Sequence, residues 1–139
     1  DVGKIGIPDQ ILMKPDKLDP VEWKTMQSHS ELGFRLLDGH TSEIMNAAKE
    51  IALTHHEKWD GSGYPRRLNG GNIPLMGRVC AIADVFDALT SPRPYKPPGS
   101  TQEATDELER LSGQHFDPEL VETFMGVKED VYNICRRHV

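Results

Sequence analysis

Helix start signals recur along the chain, and they are the feature that most restricts its fold. In KLDPVEW, Asp19 occupies an N-cap position, Pro20 the first helical position, and Glu22 the position that closes a capping box. This signal predicts a helix that runs to about Leu37 and stops at Gly39. No stretch of useful length alternates apolar and polar residues as a half-buried strand would. The sequence therefore predicts an all-α fold.

Four further helices are predicted from similar signals. They run from 41 or 42 to about 56, over 74–90, from 100 to about 112, and from 117 onward. The turn LNGGNIP separates the second helix from the third. Four prolines in SPRPYKPPG, residues 91–99, predict a rigid loop rather than a linker.

Composition narrows the class of protein. The chain has 139 residues, 37% of them apolar and 27% charged, which is typical of one folded globular domain. No apolar run reaches the length of a membrane span. Cys80 and Cys135 form no disulfide framework and are predicted to be free thiols of a cytosolic protein. The net charge of −6 argues against general nucleic-acid coating but is compatible with a small anionic ligand in a local positive or metal-lined pocket.

Helical spacing predicts that histidines point towards the interior. His29 shares a face of the first helix with Met26, Gly33, Leu36 and Leu37. His55 ends an apolar stripe of the second helix formed by Ile44, Ala48 and Ile51. The neighbouring His56 lies about 100° around that helix. Each histidine taken singly could be a hydrogen-bonded core residue, but adjacent imidazoles rarely both serve packing.

The third helix is apolar nearly all round, so Asp84 in its middle is predicted to be buried. A buried carboxylate needs a cation, a strong donor or a raised pKa. An ion pair with Arg78 or Lys4 and a metal ion are both open interpretations. Convergence with the three histidines and Asp1 favours a His/Asp metal site. Imidazole and carboxylate ligands together suit Fe, Mn or Zn, and no cysteine lies in motif spacing with them.

Four ordered motifs resemble those of the HD-GYP domain, a branch of the HD phosphohydrolases. DVGKIGIP resembles the HD motif, with its histidine just before the first residue, and HHEKWDGSGYP resembles the signature HHE-x-x-D-G-x-G-Y-P. AIADVFDALTSPRPYK and SGQHFDPELVETF resemble the downstream and C-terminal blocks. The resemblance covers nearly the whole chain. It implies an HD-domain-like helical bundle over 1–139 that lacks its N-terminal helices and the HD histidine.

The resemblance implies a metal-dependent phosphodiesterase that hydrolyses cyclic di-GMP to pGpG or onward to GMP. Two or three divalent ions, iron or manganese, would be held by Asp1, His29, His55, His56 and Asp84. Asp1, as a bridge between metals, and Lys4, facing the scissile phosphate, would be the catalytic residues. The implied reaction is a two-metal hydrolysis in which the metals activate water and clamp the phosphate oxygens. Lys4 would add positive charge where negative charge develops.

The remaining motif residues are interpreted as substrate contacts. Besides Lys4, the substrate-binding set comprises Tyr64, Asp87, Arg93 and Lys96. Arg93 and Lys96 could pair with the second phosphate, since the prolines around them restrict the loop, although a solvated loop pair is the ordinary alternative. Tyr64 offers a ring for stacking and a hydroxyl. For Asp87, support of a metal ligand is an alternative to substrate contact.

The resemblance also implies partners and a location. An N-terminal receiver or sensor domain is expected in the full-length protein. GGDEF-domain proteins are candidate partners of the GYP loop, the segment that contains Gly63, Tyr64 and Pro65. The domain itself is expected to be cytoplasmic, with no DNA or membrane partner. Two alternatives remain open: a catalytically silent module that binds cyclic di-GMP or docks a protein, and an HD hydrolase for another nucleotide. Trp23 and Trp59 are interpreted as packing residues.

Overall fold

The computed structural model describes residues 1–39, 42–92 and 98–137, and in these ranges the protein has helices and no β-strand. A short 3-10 helix, Val2–Gly6, precedes the α-helices. The α-helices are α1 (Asp9–Leu12), α2 (Pro20–Gln27), α3 (His29–Leu36), α4 (Glu43–Thr54), α5 (Leu75–Thr90), α6 (Thr101–Arg110), α7 (Pro118–Gly126) and α8 (Lys128–Arg137). The prediction of an all-α fold is confirmed. Arg93 and Lys96 lie outside the described residues.

Both capping boxes that the sequence indicates are formed in the structure. Asp19 accepts hydrogen bonds from the backbone N–H groups of Val21 and Glu22, and the Glu22 side chain accepts one from the Asp19 N–H. Ser100 and Glu103 form the second capping box, at the start of α6. These contacts satisfy N–H groups that have no partner inside the helix.

Two helices that were predicted to be continuous are each divided. The first predicted helix is interrupted at Ser28, whose N–H and hydroxyl both donate to the carbonyl of Thr25, at 3.1 and 2.7 Å. This i to i−3 pattern tightens the turn, and the side-chain bond competes with the helical ladder. The last predicted helix is likewise divided into α7 and α8 at Val127, just after Gly126. Gly39 has a φ of 89°, in the left-handed region that glycine often adopts after a helix end. This agrees with the predicted stop at Gly39.

The main hydrophobic core lies between α5, α6 and α7. Its buried members are Ala81, Ile82, Phe86, Ala104, Leu108, Phe116 and Val121. The helices α3, α4 and α5 pack one against the next, so α4 joins this core to the N-terminal part. Arg78 of α5 and the buried Asp117, the N-cap of α7, form an ion pair at 2.6 Å that fixes the two helices together.

Two burial predictions were wrong. The helix α5 is not buried all round, because Leu75, Met76, Val79 and Asp84 are exposed. Described neighbours cover only one side of α5. The apolar residues on its other side are not covered themselves, so they do not bury the carboxylate of Asp84. Ile44 on α4 is 81% exposed, and the apolar stripe of that helix becomes buried only towards its C-terminal end.

A close backbone contact brings the chain start against α3. A Cβ atom on Gly3 would overlap the carbonyl oxygen of His29 and the backbone nitrogen of Gly33. Only glycine therefore allows the 3-10 helix to approach α3 this closely. The contact places Asp1 and Lys4 beside the first residue of α3.

Candidate metal centre

Four side chains from three segments of the chain converge near the start of α3 and the end of α4. Asp1, His29, His55 and His56 each offer a ligand atom, and these atoms all lie within 4.8 Å of one another. Asp1 precedes the 3-10 helix, His29 opens α3, and His55 is the C-cap of α4. The sequence prediction grouped these four residues with Asp84, and the fold brings the four together.

Hydrogen bonds fix which nitrogen of two histidines faces the cluster. His29 Nδ1 lies 2.7 Å from the carbonyl oxygen of Met26, and His55 Nδ1 lies 2.9 Å from that of Ile51. A carbonyl oxygen can only accept, so both Nδ1 atoms carry the proton. Each neutral ring therefore presents the Nε2 lone pair to the cluster, as an imidazole metal ligand does.

The two lone pairs meet at short range beside a carboxylate. His29 Nε2 lies 3.5 Å from His55 Nε2, and Asp1 Oδ1 lies 3.5 Å and 3.7 Å from these two atoms. Three acceptor atoms that face one another repel unless a cation or a proton lies between them. This donor set, two imidazole nitrogens and one carboxylate oxygen, fits a divalent transition-metal ion. The cluster could therefore hold a divalent metal.

The electrostatics of the site keep the imidazoles neutral. Burial, together with the neighbouring imidazoles and Lys4, lowers the pKa of His56 to about 3. Burial also lowers the pKa of His29 and of His55 below their usual value. Neutral imidazole is the form that binds metal, so these rings need not lose a proton at pH 7 before binding.

Asp84 does not belong to the group of four. It is exposed, and its position is near enough for its charge to oppose the effect of burial on the pKa of His55. Neither ion pair considered for it is formed, since Arg78 pairs with Asp117 and Lys4 pairs with Asp1. The predicted burial of Asp84 was wrong, and its assignment as a ligand stays a prediction.

Lys4, predicted to be both catalytic and substrate-binding, lies beside the cluster. Lys4 Nζ donates to Asp1 Oδ2 at 2.8 Å, which holds the ammonium beside the carboxylate. Asp87 is exposed and accepts a hydrogen bond from the hydroxyl of Ser91 at 2.8 Å.

Tyr64 covers the cluster from the side of the GYP loop, residues 57–68. Its ring stacks on that of His56, with centroids 4.8 Å apart and planes inclined by 30°. Its N–H donates to the His56 carbonyl at 3.2 Å. A Cβ on the preceding Gly63 would overlap the backbone of residues 56–58, so this approach also requires glycine. Burial raises the pKa of Tyr64 to about 12, so the phenol keeps its proton at neutral pH.

Sequence analysis missed Glu57, the residue that organises the GYP loop. Its side chain is 2% exposed, and its two carboxylate oxygens accept hydrogen bonds from the N–H groups of Arg66 at 2.7 Å and Leu68 at 3.0 Å. These bonds hold the exit of the loop against the end of α4. A glutamate directly after two inward histidines and before a turn-rich segment was the available signal.

The loop is anchored at a second place by the C-terminal part of the chain. Trp59 and Asp60 donate backbone hydrogen bonds to the carbonyls of His115 and Gln114, at 3.0 and 2.9 Å. Asp60 also accepts a hydrogen bond from the Ser62 N–H at 2.8 Å, which stabilises a turn at this point of the loop. The motifs around residues 60 and 115 thus meet in space and support Tyr64 together.

The fold and the site define an all-α domain that gathers imidazole and carboxylate ligands at helix ends. Residues 1–120 match the family described as HD domain, and the chain belongs to this family. Membership confirms the family resemblance carried by the motifs. None of the helices in the described ranges is long and apolar enough to cross a membrane.

Curated relatives cover most of the chain. It is 50% identical over 137 residues to a cyclic di-GMP phosphodiesterase of Thermotoga maritima, covering 99% of this chain and 37% of the relative. It is 55% identical over 125 residues to the 3'3'-cGAMP-specific phosphodiesterase 2 of Vibrio cholerae, covering 90% of this chain and 24% of that protein. The chain thus spans only about a quarter to two-fifths of the length of these relatives.

A solved structure supports the fold assignment. The crystal structure of the Vibrio cholerae cyclic GMP-AMP phosphodiesterase V-cGAP3 superposes with a TM-score of 0.55 at 22% identity. The superposition covers 97% of this chain and 36% of that one. The HD-domain-like helical architecture predicted from the sequence is confirmed.

Proposed function

We propose that this chain is the catalytic domain of a metal-dependent phosphodiesterase that hydrolyses cyclic dinucleotides, with cyclic di-GMP as its substrate. The observation that carries the proposal is the convergence of His29 Nε2, His55 Nε2 and Asp1 Oδ1 within 3.7 Å of one another. The names of the relatives, phosphodiesterases of cyclic di-GMP or of 3'3'-cGAMP, support the substrate class. The expected product is linear pGpG, with GMP if a second bond is cleaved.

Asp1, His29, His55 and His56 would hold the metal. When bound, a divalent metal supplies a water of lowered pKa and stabilises the charge on the phosphate oxygens. We assign iron or manganese, two or three ions in number, with the carboxylate of Asp84 completing the set of ligands. An exposed carboxylate near His55 can join a site that the four clustered ligands begin.

The surrounding side chains orient and stabilise the substrate. Lys4, held beside Asp1, directs positive charge at the place where a scissile phosphate would lie. Tyr64 keeps its phenolic proton and can donate it in a hydrogen bond to a phosphate oxygen, while its ring excludes water from one side of the cluster. Asp87, Arg93 and Lys96 complete the proposed substrate contacts at and after the end of α5.

The proposed setting is a cytoplasmic signalling protein in which a receiver or sensor domain controls this domain. One relative is a response regulator, the cyclic di-GMP phosphodiesterase RpfG of Xanthomonas campestris, 44% identical over 97% of this chain. Arg66 and Arg67 are exposed on the GYP loop and offer a surface for a GGDEF-domain partner.

The test measures metal content and turnover together on the natural full-length protein, purified without oxygen in the presence of iron or manganese. Cyclic di-GMP, 3'3'-cGAMP and cyclic di-AMP are compared as substrates. We expect at least two metal ions per chain and conversion of cyclic di-GMP to pGpG, abolished by a chelator. Metal-loaded protein that binds cyclic di-GMP without turnover would contradict the proposal and support a binding or docking module. Turnover of other nucleotides only would support a different HD hydrolase.

A further inference from the structure

Trp23 presents an exposed aromatic surface beside the candidate metal centre. It lies on the second turn of α2, and its side chain is 48% exposed, which is unusual for tryptophan. Its ring meets that of Tyr64 edge to face, with centroids 6.1 Å apart and planes inclined by 79°. Half of the Trp23 side chain faces solvent, so the packing role predicted from the sequence does not account for this exposed face.

The aromatic rings form a short path from the metal ligands to this surface. Tyr64 stacks on His56 at 4.8 Å and contacts Trp23 at 6.1 Å. Tyr64 is itself half-buried between the two. In a dinucleotide, each base is joined to its phosphate through one ribose. A phosphate at the cluster would thus have its base in the region that Trp23 borders.

We propose that Trp23 is a nucleobase-stacking residue, and that its indole and the edge of Tyr64 form a subsite for one base of the cyclic dinucleotide. This inference rests on the proposed function. An aromatic face stacks on any base, so the subsite contributes affinity with little discrimination among bases. Tyr64 contacts the Trp23 ring and restricts its rotation, so less freedom is lost when a base binds.

The charge and shape of the surroundings suit this role. Lys4 lies on the cluster side, where the phosphate would be, whereas Trp23 stands away from the cluster and offers apolar area. The capping box of Asp19 and Glu22 fixes the start of α2. The backbone N–H of Trp23 donates to the Asp19 carbonyl at 2.8 Å. The Trp23 ring is thus carried by a well-anchored helix rather than by a loop.

The test compares Trp23→Leu with Trp23→Phe in the metal-loaded full-length protein. Leucine keeps apolar volume without an aromatic face, and phenylalanine keeps the face. We expect Trp23→Leu to raise KM for cyclic di-GMP by about 5- to 150-fold, with kcat and metal content close to wild type, because base stacking is worth about 1–3 kcal/mol. Trp23→Phe should recover most of the affinity. The loss should be similar for cyclic di-AMP if the wild type accepts it.

A second readout is independent of turnover. The Kd of a hydrolysis-resistant phosphorothioate analogue of cyclic di-GMP should rise in Trp23→Leu by the same factor as KM. Val21→Ala is the matched control, because Val21 is an apolar residue that is 76% exposed on the same helix and is not one of the three rings in the path. It should leave both constants unchanged.

Several outcomes would overturn the inference, and they differ from failure of the proposed function. If the wild type is active and Trp23→Leu matches it in KM and Kd, Trp23 is not a base subsite. If Leu and Phe variants both lose thermal stability and kcat together, Trp23 is a packing residue. A wild type that neither binds the analogue nor hydrolyses any cyclic dinucleotide would remove the proposed function, and with it the basis of the inference.

Discussion

His29 and His55 use their two ring nitrogens for different purposes. In each ring, Nδ1 donates to a backbone carbonyl of the preceding turn, and Nε2 faces the cluster. The backbone bond sets the tautomer and orients the ring before any metal arrives. Because these acceptors belong to the helix or to the turn before it, the orientation survives changes elsewhere in the site. Each of these two ligands is therefore oriented by its own backbone hydrogen bond. Removal of a single ligand should then produce a measurable loss of metal affinity.

We expect His55→Ala and His56→Ala each to lower metal affinity by at least about 10- to 100-fold, the loss that follows even from removing a residue that only supports a ligand. Turnover should fall in parallel. Metal content by mass spectrometry and turnover of cyclic di-GMP are the measurements. His115→Ala is the control, because His115 is a partly buried histidine outside the group of four. Unchanged metal content in either cluster variant would refute its assignment as a ligand.

At the scale of elements, the GYP loop is held from both ends. Glu57 binds two backbone N–H groups at the loop exit, and the segment around His115 binds two more near its start. Gly63 lets the chain pass directly over the end of α4. Tyr64 is therefore placed by the backbone of the loop, and its stacking on His56 depends on contacts that lie outside the metal centre.

Glu57→Gln should disturb this loop while leaving the metal ligands in place. The amide keeps one accepting oxygen but turns a donor towards the other backbone N–H, so one buried hydrogen bond is lost at a cost of about 1–3 kcal/mol. We expect a lower free energy of unfolding by urea denaturation, reduced kcat/KM and unchanged metal content. Glu50→Gln, an exposed change on the preceding helix α4, should have no effect. Wild-type stability in Glu57→Gln would argue against the positioning role.

At the scale of the whole molecule, burial of histidines links stability to pH. The pKa of His56 lies at about 3 and that of His115 at about 4, and burial also lowers those of His29 and His55. The unfolded chain binds protons at these rings below about pH 6.5, while the folded chain binds them only at lower pH. The stability that they contribute is thus fully present above about pH 6.5 and declines as the pH falls towards 4.

We therefore expect the metal-free protein to unfold at lower urea concentration at pH 5 than at pH 7.5. His115→Phe, which preserves the stacking of this ring on Phe116, should make the dependence shallower. Asp117→Asn, a change at a neighbouring buried residue, cannot serve as the control because it would also break the ion pair with Arg78. A pH-independent unfolding midpoint between these values in the wild type would contradict the predicted neutral burial of the histidines.

Metal binding should also be visible in global stability. A ligand at about 100 times its Kd stabilises the folded state by about 2.7 kcal/mol. For a domain of this size, a chelator should lower Tm by roughly 5 to 15 °C. The double variant His55→Ala/His56→Ala should show no such shift in calorimetry. An equal shift in the wild type and the double variant would mean that the chelator acts elsewhere.

Local signals in the sequence were sufficient for much of the fold. The capping boxes at Asp19 and Ser100 and the stop at Gly39 involve residues only a few positions apart, and each is present in the structure. His29 and His55 are buried as helical spacing predicted, whereas Leu36 and Ile44, on the same predicted faces, are exposed. The ordered motifs carried the family resemblance.

Tertiary contacts decided what the sequence could not. Asp84 is exposed because the covering of α5 depends on distant helices, and an apolar sequence does not provide its own neighbours. Glu57 is buried because the loop folds back to give its carboxylate two donors. Trp23 is half exposed, although it meets Tyr64 in an edge-to-face contact. Periodicity along one helix states which residues share a face, whereas burial and convergence depend on long-range packing that encloses or exposes that face.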